Sequence, residues 1–297
     1  MPLVGVLSSG SPGSFVESHV AALHRGLSES GYVEGRNLSV GYRYAEGRYD
    51  RLPVLAGELI SQGVDLFYAP SLPAARALKG ATSTIPVVFM GGGDPVAAGL
   101  VDSLARPGGN LTGVIFLNVE LTAKRLELLT ELIPSARTIG LLVNPGNAVT
   151  ERMVRDARQA SAGKGWEVEV VEASTDEQIG SALRSLVQRR AGALLVGTDP
   201  VLATLRSSIV TGAALHALPV MFGFATSDAL ISYGPSIADG YLQSGIYIGR
   251  ILKGARPADL PVQQAAKFEL IVNLKVAKTL GLAIPASILN RASELIE

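Results

Sequence analysis

The sequence predicts an α/β protein of two lobes, each with a mainly parallel sheet, joined by several hinge strands. Three observations predict this. Short apolar runs alternate with longer segments of helical period along most of the chain, the pattern of parallel strands linked by crossover helices. The pattern then restarts, because "TIGLLVNPGN" at 138–147 reads as a new first strand after a long amphipathic segment. After two lobes' worth of elements the chain adds "YLQSGIYIGRILKG" and the strand-like start of "KFELIVNLKVAKTLGLAIP", so it is expected to cross back between the lobes.

In chain order, the apolar runs predict strands over Leu3–Leu7, Leu38–Tyr42, Leu66–Tyr68, Val87–Met90, Ile139–Val143, Glu167–Val171, Ala193–Val196, Val220–Phe222 and Leu230–Ser232. Segments with apolar residues at helical spacing lie between them, at about 14–30, 51–62, 73–80, 120–132, 148–163, 175–190, 200–215 and 236–253. Connections are short, as compact α/β units require. Two sheets of about four to five strands each fit better than one continuous sheet. The break is expected near "VIFLNV", 114–119, with one lobe over 1–116 plus about 235–264 and the other over 117–234 plus about 265–297.

Composition narrows the function classes. The chain has 297 residues, 47% hydrophobic and 18% charged, which suits two domains with real cores and excludes disorder. Lys+Arg and Asp+Glu balance at 26 each, so no global basic field draws nucleic acid. The absence of cysteine excludes thiol catalysis, disulfides and cysteine-ligated metal. No apolar run approaches the length of a membrane span. No signal peptide is visible, so an exported form is expected to have lost one before this sequence. Asn110-Leu111-Thr112 matches a glycosylation sequon, which carries little weight without such a signal.

Four strands end in a polar residue with proline close behind. "VVFMGGGDP" ends in Asp94-Pro95, "GLLVNP" in Asn144-Pro145, "LLVGTDP" in Asp199-Pro200, and "LFYAPSLP" in Ser71-Leu72-Pro73. Locally these are helix caps, since Asp, Asn and Ser accept from the first free N–H groups and proline suits the first turn. The same positions are where open α/β sheets bind ligands, outside the strands' carboxyl ends. Ser8, Ser9, Gly10 and Ser11 add small polar groups after the first strand. Facing lobes would turn these caps into the lining of a cleft.

Signs of chemistry are few. "GGGDPV" carries Asp where a phosphate loop needs Lys and Ser or Thr, and the glycines of "SSGSPG" lack dinucleotide spacing. There is no nucleophile elbow and no H-E-x-x-H. His19, His24 and His216 fall in predicted helices, where they read as packing or surface residues; no metal and no cofactor is expected. An enzyme working through Asp94 and Asp199 remains the alternative, because paired carboxylates need no motif.

"GYVEGRNLSVGYRYAEGRYDRLPVLAGELI", "DPVAAGLVDSLARPGGNLTGV", "KRLELLTELIP" and "ILKGARPADLPVQQAAKFELIVNLKVAKTLGLAIPASIL" together resemble the ABC transporter substrate-binding proteins of the tryptophan/tyrosine-binding type. The resemblance covers essentially the whole chain. It implies a periplasmic-binding-protein-like fold of class I, two Rossmann-like lobes about a hinged cleft. It also implies a protein that is not an enzyme, and capture of a small ligand for delivery to an ABC permease and its ATPase. Family members are usually exported lipoproteins; a periplasmic or extracytoplasmic monomer, lipid-anchored in its precursor and trimmed here, is the implied form.

Carried over by motif, the family's first loop matches Ser8, Ser9, Gly10 and Ser11, its strand-to-helix turn Leu72-Pro73, and its Asp-Pro turn Asp94-Pro95. The crossover matches Phe116–Asn118, and the second-lobe turns match Asn144, Thr198-Asp199, Phe222–Phe224 and Tyr233. The family often has Thr before this proline, whereas here Leu72 follows Ser71, which favours a more apolar ligand than an ordinary amino acid. A ligand carboxylate is expected at the helix N-termini, with Ser9, Ser11 or Ser71 and the amides of Gly91, Gly92 and Gly93. Asp199 is the first choice for an ammonium and Asp94 the second. Phe116, Phe222, Phe224 and Tyr233 would form an apolar slot, or else pack in the core. The glycines of "VVFMGGGDPV" are expected to let the ligand approach the backbone. A ligand-sensing signalling protein of the same fold is the other alternative, although no output module stands in this sequence.

Overall fold

The computed structural model describes residues 1–116 and 118–297, the side chains of 14–18 excepted. The chain divides into two compact units, Met1–Leu117 with Ile237–Ala266 and Asn118–Ser236 with Lys267–Glu297. It therefore passes from one unit to the other three times. The first unit opens with β1 (Leu3–Ser8), α1 (Ser14–Glu29), β2 (Ser39–Tyr44), α2 (Leu52–Ser61), β3 (Leu66–Ala69), α3 (Leu72–Ala81), β4 (Val87–Gly92) and β5 (Leu111–Phe116). The second runs α4 (Thr122–Leu132), β6 (Thr138–Val143), α5 (Thr150–Ser161), β7 (Glu167–Glu172), α6 (Asp176–Gln188), β8 (Ala193–Val196), α7 (Pro200–Thr204), α8 (Arg206–Ala214), β9 (Val220–Phe222) and β10 (Ile231–Pro235). Then α9 (Ile237–Leu252) and β11 (Gln263–Gln264) return to the first, and β12 (Phe268–Asn273), α10 (Leu274–Thr279), α11 (Ala286–Leu289) and β13 (Glu294–Ile296) finish the second.

The sheets have six and seven strands, ordered β11-β5-β4-β3-β1-β2 and β13-β12-β10-β9-β8-β6-β7. Every pairing is parallel except β10 with β12. Both sheets are larger than the sequence pattern predicts, because β5, β11 and β13 escape it. In β5, "LTGVIF", Thr112 and Gly113 interrupt the apolar run, yet all six residues are buried. Both interruptions serve a neighbour. The Thr112 hydroxyl donates to the Leu260 carbonyl at 2.6 Å, and a Cβ on Gly113 would lie 1.9 Å from the Phe89 carbonyl oxygen.

Inside the first unit, successive strand residues feed opposite faces, as the pleat requires. Val4, Val6, Leu66, Tyr68, Val88, Met90, Val114 and Phe116 pack under α1 and α9 with Leu23, Leu27, Tyr241 and Ile248. Leu7, Phe67, Ala69, Val87, Phe89, Leu111 and Ile115 pack under α2 and α3 with Leu55, Leu59, Ala75 and Leu78. A sheet covered on both faces needs such continuous apolar strands. In the second unit Leu126, Leu129 and Leu132 of α4 and Met153 and Ala157 of α5 pack on Ile139, Leu141, Leu195, Met221 and Ile231.

Two helix expectations are corrected. The segment 200–215 breaks at Leu205 into α7 and α8, where the Val201 carbonyl accepts both the Leu205 amide at 3.0 Å and the Thr204 hydroxyl at 2.7 Å. His216, expected in a helix, lies in the turn after α8 and is exposed. His19 packs its ring 5.5 Å from that of Tyr241, and His24 faces Glu34 at 3.2 Å. Among the described residues no helix is long and apolar enough to cross a membrane, and no cluster of His, Asp and Glu could hold a metal.

Candidate functional site

Both strand orders reverse at one place, between β1 and β3 in the first unit and between β6 and β8 in the second. Loops leaving neighbouring strands there run apart and open a crevice at the carboxyl ends, where α/β sheets bind ligands. Ser8, Ser9 and Ser71 stand at the first of these points and Asn144, Thr198 and Asp199 at the second, whereas Asp94 follows β4.

In the first unit, the Ser9 and Ser71 hydroxyls share a hydrogen bond of 2.5 Å and are 1% and 3% exposed. Ser71 also caps α3, accepting from the Ala74 amide at 3.4 Å. Ser8 accepts from the Gly10 amide at 3.2 Å, and the Ser9 and Gly10 carbonyls accept from the amides of Gly47 and Glu46. Ser11 is half-buried. Asp94 is exposed, and its Oδ1 takes the amides of Val96 and Ala97 at 2.8 and 3.1 Å.

Two glycines of the triplet have causes inside the fold. A Cβ on Gly91 would lie 2.9 Å from Cγ of Leu72, so Gly91 makes room for that side chain. Leu72 is half-buried and packs against the core of the first unit. Gly93 has φ +118°, a conformation that glycine alone adopts without strain. Gly92 continues the strand opposite Phe116. Phe116 is 2% exposed and belongs to the core beneath α9, so it lines no slot in this structure. Residue 117 of the expected crossover lies outside the described residues.

In the second unit, Asp199 is 5% exposed and caps α7. Its Oδ1 accepts from the amides of Val201 and Leu202 at 2.8 and 3.0 Å and from Asn144 Nδ2 at 3.2 Å. Its Oδ2 accepts from Asn147 Nδ2 at 2.8 Å. Asn144 in turn accepts from the Gly146 amide at 2.9 Å. Asp199→Ala removes all four bonds and is expected to cost about 2 kcal/mol in urea unfolding. Asp94→Ala, at an exposed turn, should cost about 0.5 kcal/mol. Equal costs would break the distinction between the two caps. The aromatic expectations divide. Phe222 and Phe224 are core residues, 0% and 4% exposed, with rings 5.1 Å apart. Tyr233 is half-buried, its ring 6.4 Å from that of Phe268.

One residue that the sequence pattern passes over organises this edge. Arg125 of α4 is 2% exposed. Its Nε donates to the Tyr233 carbonyl at 2.7 Å, one terminal nitrogen to the Asn118 carbonyl at 2.6 Å and to Thr198 Oγ1 at 3.5 Å, and the other to the Gly223 carbonyl at 2.7 Å and to Asn118 Oδ1. All five N–H groups of the guanidinium are used. Burial draws its pKa down to about 9, partly opposed by Tyr233 and Glu120, so it stays charged at neutral pH. A signal was present, because Arg125, Leu128, Leu129 and Leu132 lie at core spacing along α4, and a cation on that stripe must be bonded inside.

Comparison with known proteins gives consistent results. The family model described as ABC transporter substrate binding protein matches residues 13–296. The chain is 29% identical over 262 residues to a tyrosine-binding protein of Clostridioides difficile strain R20291, covering 87% of this chain and 75% of that one. It superposes on a conserved domain protein of Vibrio cholerae with TM-score 0.89 and 28% identity, over 99% of each chain. An ABC domain of Streptococcus pneumonia in complex with L-Trp matches with TM-score 0.87 and 27% identity, again over 99% of each chain.

Proposed function

The chain belongs to the family of ABC transporter substrate-binding proteins, and we propose that it is the solute-binding component of an importer for an aromatic amino acid or a related aromatic or branched carboxylic acid. The observation that carries this reading is the likeness, along the whole chain, to a structure in complex with L-Trp. The ligand is held by the strand-end residues of the two units, with Ser8, Ser9, Gly10, Ser11, Ser71, Gly92 and Asp94 on one and Asn118, Asn144, Thr198, Asp199 and Tyr233 on the other. Binding favours a closed arrangement of the units, a population shift that needs tighter binding to that state. The closed form passes the ligand to a membrane permease with its ATPase, outside the cytoplasm, and the ligand leaves unchanged.

The test is calorimetric titration and thermal shift of protein dialysed out of denaturant, against L-tryptophan, L-tyrosine, L-phenylalanine, aromatic and branched carboxylic acids, sugars and nucleosides. Ligand at about 100 to 1,000 times Kd should add about 2.7–4.1 kcal/mol of stability. Hits confined to aromatic amino acids or to aromatic or branched carboxylic acids support the reading. Hits confined to sugars or nucleosides overturn the ligand class, and chemical conversion of a bound compound overturns the transport role.

A further inference from the structure

We propose that the ligand's carboxylate is received by the second unit, through the Asn118 amide and the Thr198 hydroxyl, which the buried Arg125 fixes as hydrogen-bond donors. The proposal rests on the reading above that the ligand is an amino acid or carboxylic acid. Its basis is the one-way chemistry of a guanidinium, which donates five N–H groups and accepts none. Whatever faces Arg125 must therefore accept. That assigns Oδ1 of Asn118, not Nδ2, to the arginine side, and the lone pairs of Thr198 Oγ1 face it at 3.5 Å. What remains on each side chain is a donor: the NH2 of Asn118 and the O–H of Thr198. Among the described residues neither donor has an acceptor in a side-chain hydrogen bond.

The charge points the same way. None of the arginine's hydrogen bonds reaches a carboxylate; its partners are three carbonyls, a carboxamide and a hydroxyl. The Asp199 carboxylate next to Thr198 is taken by two α7 amides and two asparagine side chains. A buried cation hydrogen-bonded only by neutral groups favours an anion close by, as the Glu120 carboxylate already acts on it without a hydrogen bond, and the two remaining donors belong to Asn118, which is buried, and Thr198, which is half-buried. In the first unit, by contrast, the Ser9 and Ser71 hydroxyls are bonded to each other, which weakens the expectation that they take the carboxylate.

Asn118→Asp is the decisive variant. It is nearly isosteric, keeps an oxygen for Arg125, removes the donors and neutralises the local charge. The probes are L-tryptophan and tryptamine, which lacks the carboxylate. Calorimetry on wild type should show tryptophan bound more tightly than tryptamine. In Asn118→Asp the Kd for tryptophan should rise about 10- to 100-fold, the range of a lost hydrogen bond to a charged group. Tryptamine should bind no worse, and the melting temperature should not fall. Thr198→Val should weaken tryptophan about 10-fold and spare tryptamine.

Equal weakening of both compounds in Asn118→Asp, or unchanged tryptophan affinity, overturns the assignment. So does a wild type that binds both equally. A wild type that binds no aromatic amino acid, aromatic acid or branched carboxylic acid overturns the functional reading itself, and this assignment with it.

Discussion

Arg125→Met is expected to destabilise the protein by about 3–5 kcal/mol, and urea unfolding of the purified variant should show it as a lower midpoint. Methionine fills much of the same volume and relieves the buried charge, but it leaves the carbonyls of Tyr233, Gly223 and Asn118 and the Asn118 side-chain oxygen without their donor. Each such buried acceptor costs about 1–3 kcal/mol when stranded, and removing one partner of a buried charged network costs more than never having built it. At about 2–4 °C per kcal/mol for a domain of this size, melting should fall by roughly 6–20 °C. Arg125→Lys keeps the charge with fewer, differently placed donors and should recover less than half of the loss. A methionine variant within about 1 kcal/mol of wild type would mean that these acceptors find other partners.

The second large effect belongs to the first unit, where α1 and α9 meet backbone to backbone. A Cβ on Gly26 would lie 2.1 Å from the Leu242 carbonyl oxygen and 2.9 Å from the Ile246 nitrogen, and a Cβ on Gly245 would lie 2.3 Å from the Leu23 carbonyl oxygen. A helix backbone cannot bend out of the way as a side chain can. Gly26→Ala must push the helices apart and loosen Leu23, Leu27 and Ile248, all 2% exposed or less. Alanine's better helix propensity returns about 1 kcal/mol, against overpacking and lost burial of about 3 kcal/mol or more. Net destabilisation of about 2–4 kcal/mol is expected, and more for Gly26→Val. Gly57→Ala in α2, where nothing lies within 4 Å of the added Cβ, is the control and should stabilise by about 0.5–1 kcal/mol. Matching effects at Gly26 and Gly57 would show that contact between the helices is not what requires glycine.

Legibility differed between elements for identifiable reasons. "ALLV" is an uninterrupted apolar run and "LVGVLS" is broken only by Gly5 before its terminal serine, and the structure places strands there, at Ala193–Val196 and Leu3–Ser8. "LTGVIF" is as deeply buried as either, but its threonine and glycine answer to Leu260 and Phe89, residues that a local window does not contain. Among the candidate site residues, Ser71, Asp94 and Asp199 were legible as caps or turn-formers because capping acts over two or three residues. Phe116 and Phe222 read as core slightly ahead of slot, and both are buried in this structure.

Arg125 marks the limit. Its bonding partners stand 7, 73, 98 and 108 residues away, and arginine by type belongs on a surface. The sequence by itself determined what short-range physics can carry: the alternation of strands and helices, the restart that makes two lobes, and the capped strand ends. Only the tertiary structure decided the strand orders, the glycines that packing and backbone demand, and the partners of one buried arginine. Each of those depends on which distant backbone atoms meet, and hydrogen bonds and close contacts are fixed by separation in space, not along the chain.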